Sequence, residues 1–151
     1  MKQIPDTSPT AYLTGSAALN IPTEEGDFAD WHFTETFLGE KGDFRITGKN
    51  FIDTNEVFGT YGIRECSGIL RRYGADIEEG GKVYAANFVR AALDLIYKNV
   101  AEHKMPAHIR IDDILDDEAE QSEFFKKLQL LKSTVSDNVQ LTLLDQWEKQ
   151  Q

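Results

Sequence analysis

A single cysteine, Cys66, stands in 151 residues, so neither an internal disulfide nor a thiolate-rich metal site can form, and a reducing compartment is the simpler setting. Long apolar runs are missing as well. The most hydrophobic windows, 83–89 and 91–97, are separated by Arg90 and carry Asp94 inside the second, whereas a membrane-crossing helix needs about 20 mostly apolar residues. The opening Met1-Lys2-Gln3-Ile4-Pro5-Asp6 holds one basic residue with no apolar run behind it, so no signal peptide is visible. A cytoplasmic protein is expected. Basic charge is scarce: 16 Lys and Arg face 26 Asp and Glu, a formal charge of -10. That balance disfavours a nonspecific grip on nucleic acid or an anionic membrane, both of which need clustered cations. It favours solubility and basic partners.

Motifs of catalysis are lacking too. Walker A, the dinucleotide glycine fingerprint and the nucleophile elbow are all absent, and Gly15, Gly59, Gly62 and Gly68 are too scattered to cradle phosphate. His103 and His108 lie five apart across Pro106, a poor ligand spacing on a helix, and there is no HExxH-type pattern. No metal and no cofactor is expected.

What is present suits a folded domain. Hydrophobic residues make up 40% of the chain and aromatics 11%, enough for a core in a chain whose length matches about one domain. Residues 1–11 are polar, contain Pro5 and Pro9, and read as a flexible N-terminus with little to bury. Residues 12–151 read as one α+β domain, mostly helical, with a small antiparallel sheet and a C-terminal helical pair. A short helix follows Thr14 or Ser16 and stops before Pro22, and 23–27 is an acidic loop. Phe28, Trp31, Phe33, Phe37 and Leu38 form an aromatic concentration of mixed period. Residues 43–47 alternate as a strand, 48–50 turn, and Phe51-Ile52 offers a return strand. Asp53 or Thr54 can cap a short helix closed by Gly59, with Glu56 completing a capping box on Asp53.

Ile63, Cys66, Ile69, Leu70 and Tyr73 recur at steps of three and four, which predicts a helix over 63–73 ending at Gly74. Gly80-Gly81 turns into a short strand at 82–85, and Asn87 caps a helix from Phe88 to about Val100. That helix is apolar on two sides and is expected to be buried between layers. His108-Ile109-Arg110-Ile111 alternates briefly. Two further helices are expected over about 117–134 and about 137–149, separated by Ser136-Asp137-Asn138 as a short link.

The strongest compositional anomaly is acidic. Asp112, Asp113, Asp116, Asp117, Glu118, Glu120 and Glu123 stand together with no basic residue among them. Acidic side chains at a helix start interact well with the macrodipole, by about 0.3–1 kcal/mol each, so a solvated helix start explains part of the run. A partner-binding face is the second reading. A metal site is the third, although the regular ligand spacing of an EF-hand is missing. Trp31 is a candidate anchor for the same partner. Arg64, Arg71 and Arg72 on the predicted 63–73 helix form a candidate anion or DNA contact, set against pairing with the acidic surplus. Asp30-Trp31-His32 offers His32 as a general base, but no nucleophile or second acid is spaced to help it. Cys66, on an apolar face, reads as a buried structural thiol.

The run Tyr12-Leu13-Thr14-Gly15-Ser16-Ala17-Ala18-Leu19-Asn20-Ile21-Pro22, followed by Asp30-Trp31-His32-Phe33, resembles the opening of small bacterial proteins from mobile defence loci. These look like antitoxin or immunity partners of toxins such as nucleotidyltransferases. The resemblance spans roughly residues 12–100 and brings no catalytic residue with it. Sequence and resemblance together predict a non-enzymatic, acidic interaction module that binds and neutralises a basic partner protein acting on nucleic acids or nucleotides. The alternative is a small DNA-binding regulator using the 63–73 helix. A small enzyme built on His32 and carboxylates ranks third.

Overall fold

The computed structural model describes residues 2–23, 32–40 and 42–151, together with the backbone of Trp31. Phe28, Asp30, all but Thr23 of the expected loop at 23–27 and the Trp31 side chain lie outside the described residues. The architecture is α+β and mostly helical, with a four-stranded mixed sheet.

The chain enters the sheet at β1 (Leu13–Thr14) and turns directly into α1 (Gly15–Leu19). A helical turn, α2 (Trp31–Phe33), runs into a π-helical turn at Thr34–Leu38. Then come β2 (Arg45–Ile46), α3 (Asn55–Phe58), β3 (Ile63–Glu65), α4 (Ser67–Arg72) and β4 (Tyr84–Ala86). Four helices complete the fold: α5 (Phe88–Ala101), α6 (Ile111–Ile114), α7 (Glu118–Thr134) and α8 (Asn138–Lys149). The strand order is β2-β1-β4-β3, with β1 parallel to β4 and the outer pairs antiparallel.

Strand alternation decides which residues face which layer. Leu13 and Ala85 point to one side, where Ile4, Phe33, Phe37, Phe44, Ile46 and Leu70 pack. Tyr12 and Ala86 point to the other, against Ala91 of α5. The opposite face of α5 (Val89, Leu93, Ile96, Val100) meets Phe124, Leu128 and Leu131 of α7 and Leu144 and Trp147 of α8. Two apolar faces on one helix therefore correspond to two cores, as the pattern of α5 predicts. The α7–α8 pair is joined through Phe124 and Trp147, whose ring centroids are 5.8 Å apart. Lys132 adds a fork, reaching Asp145 at 2.6 Å and also Glu148.

Several local expectations are corrected. Residues 2–11 do bury something: Ile4 is 6% exposed and its N–H bonds the Asp76 carbonyl at 3.0 Å. The 63–73 helix is a strand followed by a short helix. Gly62 takes φ +76, outside any right-handed helix, and Ile63, Arg64 and Glu65 pair with Ala86, Ala85 and Tyr84. Only after Cys66 does α4 start, with the Ser67 N–H donating to Glu65 Oε1 at 2.9 Å. Spacing of three and four arose by chance across two elements. Phe51 forms a single bridge to Thr47 in place of a return strand. The alternation at 108–111 gives no strand, and Ile111 opens α6 instead. The Asp53 carboxylate does accept from the Asn55 N–H at 2.8 Å, while Thr54, at the cap position, turns its hydroxyl inward.

Candidate functional site

A cavity of about 860 Å³ opens where β1 turns into α1. Gly15 at φ +70 makes that turn, a backbone conformation that side chains with a Cβ rarely adopt. Small residues Gly15, Ser16 and Ala17 line one part of the cavity, and Phe51 and Leu95 contribute apolar surface. Glu35 and Glu40 come from the π-helical turn and its exit, Asp43 and Arg45 from β2 and its approach. Lys98 and Asn99 of α5 and the exposed His108 complete the polar lining. Arg45 Nε lies 3.0 Å from Asp43, and Lys98 Nζ lies 3.3 Å from Glu102. None of the sequence-predicted site residues lines this cavity. Lining residues of ordinary type scattered from Gly15 to His108 leave no local motif to find.

Beneath the sheet lies a second polar arrangement, closed to solvent. Arg90 and Asp94, both 0% exposed, stand one turn apart on α5. Asp94 Oδ2 accepts from the Tyr12 hydroxyl at 2.6 Å and the Thr14 hydroxyl at 2.8 Å. Its Oδ1 accepts from the Thr54 hydroxyl at 2.6 Å and faces Arg90 Nε at 3.5 Å. Arg90 Nη1 donates to the carbonyls of Gly59 at 2.9 Å and Tyr61 at 2.7 Å. The guanidinium also sits over the Tyr12 and Phe58 rings, 5.0 and 5.2 Å from their centroids. Burial pushes the Asp94 carboxyl above its ordinary range, opposed by the Thr54 and Tyr12 hydroxyls, Arg90 and Thr14. The network ties β1, α3 and the Gly59–Tyr61 stretch to α5, and with no opening it is a structural bolt. The sequence signal was there: an Arg and an Asp at (i, i+4) inside a helix apolar on both sides.

The acidic run occupies α6, the link after it and the first turns of α7. Asp112, Asp113, Asp116, Asp117 and Glu118 are exposed, and Glu120 is half-buried. Among the described residues one cation pairs with them: Arg110 Nε lies 3.8 Å from Asp112. Asp117 has a local task as the N-cap of α7, accepting from the Ala119 N–H at 2.8 Å. Burial first, and then the neighbouring Asp117 and Asp116 charges, raise the Glu120 carboxyl above its ordinary value. Glu123 differs, since it helps raise the Tyr61 phenol to about 12 after burial does most of the work. Among the described residues no group of three or more His, Cys, Asp or Glu is arranged to hold a metal.

No protein-family model matches this chain, nor does any curated protein or solved structure.

The three arginines do not share a helix face. Arg64 lies on β3 and reaches the carbonyls of Pro22 at 3.3 Å and Ile21 at 3.5 Å. Arg71, on α4, clamps the turn after it through the carbonyls of Glu78 at 3.1 Å and Gly81 at 2.5 Å. Arg72 is exposed at the end of α4. His32 is exposed on α2. Cys66 is buried between β3 and α4, its thiol donating to the Val83 carbonyl at 3.5 Å. Burial pushes that thiol up to about 12, which removes the thiolate a nucleophile needs. No helix among the described residues is long and apolar enough to cross a membrane.

Proposed function

We propose that this protein is a non-enzymatic interaction module that docks a basic partner protein on the acidic face formed by Asp112, Asp113, Asp116, Asp117, Glu118 and Glu120. The observation that carries the reading is the exposure of five of these carboxylates with, among the described residues, a single, long ion pair at Arg110. Carboxylates left unneutralised at one place attract and orient a partner of opposite charge, raising the association rate more than the affinity. A partner that acts on nucleic acids or nucleotides carries a basic channel for phosphate, and an acidic face can fill it. Inhibition of such a partner, in the manner of an antitoxin, is the activity this implies.

The test begins with recovery of the partner by co-purification from the native host. Wild type is then compared with the Asp112→Asn, Asp113→Asn, Asp116→Asn, Asp117→Asn protein. Asn retains the N-cap of α7, so the fold is spared. The variant is expected to associate at least about tenfold more slowly at low salt, and its rate should depend less on ionic strength. Unchanged rates and unchanged salt response would reduce the acidic face to a solvated surface.

A further inference from the structure

The cavity beside α1 differs from the acidic face in kind, because it is concave, partly apolar and of ligand size. We propose that it binds a small organic cation, an amine or guanidinium carried on a short apolar body. Its volume of about 860 Å³ falls within the roughly 300–1,000 Å³ typical of ligand pockets.

Charge selects the ligand's sign. Among the described residues three carboxylates line the cavity, Glu35, Glu40 and Asp43, against two permanent cations, Arg45 and Lys98. Both cations are already engaged: Asp43 holds Arg45 at 3.0 Å, and Glu102, outside the lining, holds Lys98 at 3.3 Å. Glu35 is exposed, and its carboxylate has no ion-pair partner among the described residues. An incoming anion would have to pull Arg45 from Asp43 while facing Glu35. An incoming cation meets Glu35 with no counter-ion from the described residues to displace. Half-buried Phe51 and Leu95 offer an aromatic ring and a methyl surface for the ligand's hydrocarbon part, and Phe51 adds attraction for a cation over its face. The formal charge of -10 raises the local concentration of any cation.

Agmatine, with a guanidinium and an amine on a four-carbon chain, is a suitable probe, and glutarate is its oppositely charged control. Calorimetric titration of the full chain should show saturable agmatine binding and none for glutarate, with amide resonances of Ser16, Leu95 and Lys98 shifting together. Glu35→Gln should weaken binding by about tenfold. Ser16→Phe, which places a ring in the cavity from an exposed position, should abolish it. Asp112→Asn with Asp113→Asn, at the acidic face, should leave it unchanged. This last variant also separates the present inference from the docking reading, which depends on Asp112 and Asp113. Absence of saturation, equal binding of glutarate, indifference to Glu35→Gln or Ser16→Phe, or equal weakening by the acidic-face variant would each overturn the proposal.

Discussion

Replacing Asp94 by Asn changes one atom and keeps the volume, yet it should be among the most damaging single substitutions in this chain. Four groups point at the carboxylate, three hydroxyls at 2.6–2.8 Å and Arg90 Nε at 3.5 Å. An amide presents one acceptor oxygen and one NH2. With the oxygen at the Oδ2 position, Tyr12 and Thr14 are satisfied but the NH2 faces Thr54 and Arg90. With the amide reversed, the NH2 faces Tyr12 and Thr14. Hydroxyls can rotate to accept; a guanidinium cannot, and either way its buried charge has lost its counter-ion. Breaking a buried pair by removing one partner costs about 3–5 kcal/mol, a large share of a total stability of about 5–15 kcal/mol. For a chain of this size each kcal/mol moves Tm by about 2–4 °C, so Asp94→Asn should lower it by roughly 6–20 °C. Thr54→Val, which removes one donor to the carboxylate, should cost less, about 1.5–3 kcal/mol. Urea unfolding followed by far-ultraviolet circular dichroism gives both numbers, provided m is unchanged. The reasoning requires an ionised Asp94. Were burial to keep its proton on, Asn would be a near isostere, and a loss below about 1 kcal/mol would refute the account.

Two further outcomes follow from the geometry. A Cβ on Gly62 would stand 2.7 Å from Asn87 Oδ1 and 2.9 Å from Arg90 Cβ, at a φ of +76; Gly62→Ala should therefore destabilise by about 1–3 kcal/mol in the same urea assay, and a neutral result would mean that β3 can enter the sheet by another path. Asp137 is held below its ordinary value of 3.8 by the Gln140 N–H and by His103, so its contribution is fully present above that value and is lost as pH falls through the lower, folded-state value. Asp137→Asn should flatten the decline of the urea midpoint between about pH 5 and pH 2, and an unaltered acid limb would assign that decline to other carboxylates.

The parts of this fold legible in the chain are those whose signals are local. Asn87, Asp117 and Asp137 each accept a backbone N–H at the start of their helices, and capping needs only neighbours within a turn. The period of α5 announced two buried faces, and Phe124, Leu128 and Leu131 announced the buried stripe of α7. The acidic run, too, could be seen without a structure. Its exposure could not.

Tertiary structure decided everything that depends on a distant partner. Residues 63–65 become a strand because β4 offers three paired backbone positions, and no spacing within 63–73 can report on residues 84–86. Ile4 is buried because Asp76 and the aromatic core wait for it, not because of its polar neighbours. Arg90 and Asp94 looked like interruptions of an apolar helix until Tyr12, Thr14 and Thr54 arrived from other elements to satisfy them. The cavity likewise gathers residues from Gly15 to His108. Helix caps and periodicities are written along the chain because hydrogen bonds and side-chain faces repeat within a few residues; strand identity, satisfied buried charge and concave surface are products of three-dimensional closure.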